Sequence, residues 1–195
     1  MSHAPEHLHH LPSQTVGPFF HCGLTANSAL GCLAGPAADG ERIRLRFRLL
    51  DGDGLPMPDG ILELWQADAS GKYPHPADTR EIAADPAFCG FGRLATDADG
   101  RCTFDTVRPG RVPDGQGGCQ AAHVVVSVFA RGLLGRLPTR VYFHGDPALA
   151  EDALLLRVPE DRRQTLIAQP DPASPGCWEF EIRLQGERET VFFDI

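Results

Sequence analysis

The clearest periodicity in the chain is Ile43-Arg44-Leu45-Arg46-Phe47-Arg48-Leu49, where apolar and basic residues alternate. Successive side chains of a strand point to opposite faces, so this stretch predicts a half-buried strand with a basic outer row. Shorter apolar or alternating runs predict strands at Ile61 to Gln66, Gly92 to Thr96, Cys102 to Val107, His123 to Ala130 and Thr139 to Phe143. Two more, Trp178 to Leu184 and Thr190 to Phe193, close the chain. Asp51-Gly-Asp-Gly54, Asp97-Ala-Asp-Gly100 and Pro109-Gly110 supply turns between them. Only Asp146 to Leu156 and Pro159 to Ala168 read as short helices, the second with Pro159 at its first position. Many strands and few helical intervals predict an all-β fold, a β-sandwich with short helical insertions, over a βαβ arrangement.

Residues 1–40 are rich in Pro, Gly, Ala and His without a clear period, which predicts an N-terminal arm packing on a partner chain; residues 41–195 form the sandwich domain. The histidines His3, His7, His9 and His10 read as part of a solvated arm. The first residues show no basic stretch followed by an apolar one, and no run of about 18 apolar residues occurs anywhere, so the expectation is a cytoplasmic protein without a membrane span.

A formal charge of −8 and scattered basic residues argue against a nucleic-acid partner. The six cysteines never form a C-x-x-C pair, which removes zinc ribbons and thioredoxin-type redox chemistry and leaves reduced, packed thiols as the expectation. The two Asp-x-Asp-Gly segments lack the Glu that a calcium loop needs at its twelfth position, where Leu62 and Arg108 stand instead. Serine-hydrolase, P-loop and zincin motifs are also missing.

Three stretches are longer and more particular than turn chemistry demands: Ser13-Gln-Thr-Val-Gly-Pro-Phe-Phe20, Leu64-Trp-Gln-Ala-Asp-Ala-Ser-Gly-Lys-Tyr73 and Val141-Tyr-Phe-His-Gly-Asp146. Together, and in this order, they resemble the intradiol ring-cleavage dioxygenases, from about Leu11 to the C-terminus. The resemblance implies a ferric ion held by two tyrosines and two histidines, which a catechol chelates before oxygen is inserted between its hydroxyl-bearing carbons. Phenolates are hard anionic donors and suit Fe(III).

Compared with that ligand set, the sequence keeps Tyr73, eight residues after Trp65, as the first tyrosine and His123 as the first histidine. Val112 stands in place of the second tyrosine and Val125 in place of the second histidine. Neither valine ligates a metal, and the only other tyrosine, Tyr142, falls where the family has no ligand. Gln120 replaces an arginine, and Arg140 a glutamine, beside the family's iron. These are the vestigial ligand positions that the resemblance implies, with no catalytic set complete and no metal held on this chain.

One branch of the family pairs an iron-bearing catalytic chain with a homologous iron-free chain, and this sequence resembles the latter, through Phe129-Ala-Arg-Gly132, Thr139-Arg140 and the closing Gly186 to Asp194. The resemblance implies a hetero-oligomer of αβ units, with Fe(III) on the homologous β subunit and 3,4-dihydroxybenzoate and O2 as substrates. It also implies that Thr15, Gly17, Pro18 and Phe19 of the arm, together with Arg131, bind substrate at the rim of the partner's iron pocket. Two alternatives stay open at this point: a self-sufficient metalloenzyme using Tyr73, His123 and His75, and a non-enzymatic β-sandwich binding module.

Overall fold

In the computed structural model, which describes residues 12–194, the strands fall close to the periodic runs. They are β1 (Arg42–Leu50), β2 (Ile61–Trp65), β3 (Phe91–Ala95), β4 (Arg101–Val107), β5 (Val112–Pro113), β6 (Cys119–Gln120), β7 (His123–Phe129), β8 (Leu137–Phe143), β9 (Ile167–Pro170) and β10 (Cys177–Arg183). Eight of them form one sheet in the order β3-β2-β7-β8-β9-β10-β1-β4, and β5 pairs with β6. The pairs β1 with β10 and β8 with β9 are parallel, and all other pairs are antiparallel.

Short β9 is the hinge of this sheet, because it bonds to β8 on one side and β10 on the other. The β3-β2-β7-β8 half and the β10-β1-β4 half close on one apolar core, as a sandwich does. Leu62, Leu64, Val124, Val126 and Val128 from the first half meet Leu45, Phe47, Phe104, Phe180 and Ile182 from the second. An edge-on contact of Phe143 with Trp178 at 5.1 Å crosses between the two layers, and one of Phe47 with Phe104 at 5.8 Å braces neighbouring strands of the second. Within residues 1–40, Leu33 and Ala34 are buried in this core, with bridges from Cys32 to Asp105 and from Ala34 to Phe88.

Both Asp-x-Asp-Gly segments are turns. Asp51 accepts from the amides of Asp53 and Leu55 at 2.9 and 2.8 Å, and Asp97 does the same for Asp99 and Arg101 at 2.9 and 2.8 Å.

Four local expectations are corrected. Thr190 to Phe193 forms no strand, because the Val191 carbonyl accepts from the Thr139 hydroxyl and its amide donates to the Thr165 hydroxyl, so no ladder forms. Asp146 to Leu156 folds as two short 3-10 turns, Pro147–Ala150 and Leu155–Arg157, since Asp146 and Asp152 each take up following amides with their carboxylates. Pro159 to Ala168 is a 3-10 helix over Glu160–Leu166 that gives way to β9. Of the six cysteines, all free, only Cys102 and Cys177 are buried.

Candidate functional site: two ends of one strand face

Alternation along β7 sends Val124, Val126 and Val128 into the core and His123, Val125 and Phe129 to the opposite face. Residues that the resemblance singles out lie near the two ends of that second face, in two groups.

The first group lies at the start of β7. Register places Trp65 of β2 and Arg140 of β8 on either side of Val125, and Tyr142 beside His123. Tyr73 stacks on Trp65, with ring centroids 5.8 Å apart and planes 6° from parallel. Two glycines bring Tyr73 there. A Cβ on Gly71, whose φ is +84°, would lie 2.1 Å from the Arg111 carbonyl oxygen, and a Cβ on Gly110 would lie 2.4 Å from the Gly71 nitrogen. Only bare backbone lets the 68–73 and 109–112 loops touch. Tyr73 and Val112 therefore line one cavity of about 390 Å³ with Trp65, His75 and Arg80.

The Trp-Gln-Ala-Asp stretch is largely the framework of this loop. The buried amide of Gln66 donates to the Val107 carbonyl at 3.0 Å and accepts from the Thr106 hydroxyl at 3.0 Å. Asp68 accepts from the amides of Ser70 and Lys72, each at 2.9 Å, and of Asp85 at 3.1 Å. Buried Lys72 pairs with Asp78 at 3.1 Å, and Asp78 also holds Arg80. Hydrogen bonds, first from Arg80, keep the Asp78 carboxyl well below the usual carboxylate range.

The centre of this group is a cation. Half-buried Arg140 donates to the Gln120 side-chain oxygen at 2.6 Å, and its charge acts on Tyr73, His123 and Tyr142. His123 is 3% exposed. Its Nδ1 is 2.8 Å from the Ala121 carbonyl oxygen, which only accepts, so Nδ1 carries the proton. Burial, then the Arg140 charge, pushes His123 down to about 4. Burial raises the Tyr73 hydroxyl above its ordinary value and raises that of Tyr142 further. The Tyr142 hydroxyl donates to Asp152 at 3.1 Å; this fully buried carboxylate also accepts from the amides of Ala121 at 2.8 Å, Leu154 at 3.1 Å and Leu155 at 2.8 Å.

A ferric ion, which the family's chemistry implies, does not fit these residues. Two of the four ligand positions hold valine, the remaining phenol resists ionisation, and a guanidinium already supplies the local positive charge. His75, invoked in the rearranged ligand set, stands edge-on to Trp65 at 5.9 Å, and its Nδ1 accepts from the Ala77 amide at 3.1 Å. Among the described residues, no three His, Cys, Asp or Glu side chains converge on one point.

The second group lies at the far end of β7, six residues on, or about 20 Å along a strand. Thr15 accepts from the Gly132 amide at 2.8 Å through its hydroxyl, and Phe20 packs on Phe129 with centroids 5.5 Å apart. Gly132 has φ +86°, a conformation glycine adopts freely, and this turns its amide toward the arm. Gly17 precedes the helix α1 (Pro18–Leu24), accepting from the Phe20 amide at 3.1 Å. The Pro18 side chain and His3, His7, His9 and His10 lie outside the described residues. Phe19 is 87% exposed. Arg131, 76% exposed, forms an ion pair through Nε with Asp59, whose other carboxylate oxygen is buried without a hydrogen-bond partner.

Sequence reasoning missed Asp59, Asp152 and the Lys72, Asp78 and Arg80 cluster. Asp59 sits in Pro58-Asp59-Gly60, which reads as a turn, and Asp152 reaches Ala121 across 31 residues, a separation no local pattern reveals.

Residues 16–186 match the family model described as Dioxygenase. The chain belongs to this family, the intradiol ring-cleavage dioxygenases. It is 40% identical over 201 residues to the protocatechuate 3,4-dioxygenase alpha chain of Burkholderia cepacia, covering 96% of this chain and 98% of that one. The alpha chain of Pseudomonas putida is likewise 40% identical, across 97% of this chain and 98% of its own length. The beta chain of Burkholderia cepacia is 39% identical over 77% of this chain and 67% of the relative. In fold, the chain is similar to 3-chlorocatechol 1,2-dioxygenase from Rhodococcus opacus 1CP, with TM-score 0.63 and 23% identity over 88% of this chain and 71% of that one. Among the described residues, no helix is long and apolar enough to cross a membrane.

Proposed function

We propose that this chain is the iron-free alpha subunit of a protocatechuate 3,4-dioxygenase. With a homologous beta subunit that carries Fe(III), it takes part in the intradiol cleavage of 3,4-dihydroxybenzoate by O2 to 3-carboxy-cis,cis-muconate, a step of aromatic catabolism in the cytoplasm. The observation that carries this reading is the place where the family's iron belongs. Val112 and Val125 remove two ligands, and Arg140 brings a resident cation among Tyr73, His123 and Tyr142. Near full-length similarity to named alpha chains supports it further.

On this reading the partner's iron site performs the chemistry, and this chain contributes the rim. Thr15, Gly17, Pro18 and Phe19 of the arm and Arg131 beside it form the substrate-binding edge, with Phe19 exposed for contact with the partner. A guanidinium suits the ring carboxylate of the substrate, since its planar fork donates two bonds and stays charged at any working pH.

Co-expression with a homologous beta chain tests the assignment. The lone chain should be colourless and free of tightly bound iron. The co-purified complex should contain iron in proportion to the beta chain and cleave protocatechuate. A tyrosinate-to-iron charge-transfer band in the lone chain, or failure of the two chains to associate, would overturn it.

A further inference from the structure

A cleft of about 570 Å³ opens on the other half of the sandwich, remote in sequence from both groups on β7 and within the usual size range of small-molecule sites, roughly 300 to 1,000 Å³. Arg48 of β1, Arg101 of β4, Arg162 of the 3-10 helix and Arg188 near the C-terminus line it. Arg48 and Arg101 are directly opposed across the antiparallel β1 and β4 pair. Like charges at such positions repel, so the arrangement is unfavourable without an anion between them.

On its other side Arg48 faces Glu181 across the parallel β1 and β10 pair, but that carboxylate is taken up by Arg183 at 3.1 Å. Among the described residues, none of these four arginines lies within ion-pair distance of a carboxylate. The cleft does contain carboxylates, but Glu179 is engaged by Arg46 at 3.3 Å and Glu181 by Arg183 at 3.1 Å, while Asp161 and Glu187 form no ion pair among the described residues. The Nε atoms of both Arg48 and Arg162 are buried without a hydrogen-bond partner. An unmade bond from a buried charged donor is costly, and both of these residues line the cleft. Arg162 is held in place by its donation to the Glu189 carbonyl at 2.8 Å.

We propose that this cleft binds a small polyvalent oxyanion, inorganic phosphate or a di- or tricarboxylate, between Arg48 and Arg101 with Arg162 as a third donor. Guanidinium groups match such oxyanions through paired N–H donors. The net charge of −8 gives no long-range attraction for an anion, so affinity must come from these local contacts and must weaken with salt.

The test uses the full chain and its complex with the beta chain, with inorganic phosphate and citrate as probes and chloride at matched ionic strength as control. Titration calorimetry should give saturable binding with a dissociation constant below about 1 mM for at least one probe, with a saturating rise in Tm. Comparing the probes separates a phosphate site from a carboxylate site. R48Q/R101Q should lose affinity at least tenfold, and it should be no less stable than the parent without anion, because a like-charge pair has been removed. Should the double variant fold poorly, exposed Arg101→Gln alone should weaken binding severalfold. A Tm rise that chloride reproduces, or unchanged affinity in these variants, would sink the proposal. So would binding to the free chain that vanishes in the complex, since the cleft would then be a partner contact.

Discussion

The two ends of the β7 outer face are built from the same strand and have opposite characters. At its start, His123 is shut in, Tyr142 bonds to Asp152, and Arg140 bonds to Gln120. At its end, Phe19 and Arg131 stand in solvent, and a hydrogen bond from Gly132 to Thr15 and the ring contact of Phe20 with Phe129 join the first described part of the arm to this face. One end is internally satisfied and the other is unfinished. At the family's ligand positions a hydrogen-bonded polar cluster with its own cation borders the cavity lined by Tyr73 and Val112, whereas the exposed Phe19 and Arg131 lie about a strand's length away.

Removing Asp152 would break the closed end most severely. It is fully buried and accepts from three backbone amides and the Tyr142 hydroxyl. Asp152→Ala leaves several buried donors unmade, and a loss of about 3 to 5 kcal/mol is expected. For a domain of this size, that lowers Tm by roughly 10 °C. A shift within about 2 °C would show that the cluster does not hold this end closed.

Next in size is a pH effect at the same end. His123 titrates at about 4 when folded, against 6.5 as its ordinary value. The unfolded chain therefore binds more protons between those values. The stability owed to a neutral, buried His123 is complete above pH 6.5 and is lost as pH falls toward 4. The difference is on the order of 3 kcal/mol. His123→Gln should flatten that part of the stability profile in denaturant titrations, relative to the parent. Parallel profiles for the two proteins would place His123 in a far more solvated setting than the fold gives it.

These two predictions separate what the sequence made legible from what it hid. Strands β1, β2, β4, β7 and β10 were readable because alternation reports burial directly, and Val112 and Val125 were readable as side chains that ligate no metal. Arg140 beside Gln120 was visible as two departures from a family pattern, but not as a bonded pair, because the two sit 20 residues apart on strands of different sheets that only the tertiary fold brings together. Asp152 and Asp59 were invisible for the same reason. Their partners are 31 and 72 residues away in the chain, and a carboxylate in a turn looks the same whether it caps, pairs or faces water. β9 was lost inside an apparent helix because Ile167-Ala-Gln-Pro170 is too short for its own period to register.

At the open end, Arg131→Ala in the assembled enzyme should lower kcat/KM for protocatechuate by about tenfold to a hundredfold or so, the equivalent of roughly 1.5 to 3 kcal/mol for a hydrogen bond to a charged group. The change also strands Asp59 without its partner, so some loss of stability is expected on structural grounds alone. Catechol, which has no ring carboxylate, serves as the control. Equal losses on both substrates would reduce Arg131 to a tether for Asp59, and no loss on protocatechuate would remove it from the substrate edge.

The smallest effect concerns the tether of the arm itself. Thr15 and Gly132 are both exposed, and their hydrogen bond at 2.8 Å is the one polar contact described between the arm and the turn carrying Arg131. Thr15→Val keeps the shape of the side chain and removes the acceptor. In so exposed a setting the cost is about 0.5 to 1 kcal/mol, and it falls on the local opening of the arm, not on global unfolding. Tm should therefore stay within about 2 °C of the parent, in contrast to Asp152→Ala. The Gly132 amide should exchange with solvent about two to five times faster, because each factor of ten corresponds to about 1.4 kcal/mol of opening free energy. Unchanged exchange at Gly132 would mean that the Phe20 and Phe129 ring contact alone holds the arm. A fall in Tm matching that of Asp152→Ala would mean that the segment around Thr15 belongs to the cooperative core, and the contrast between the two ends of β7 would have to be given up.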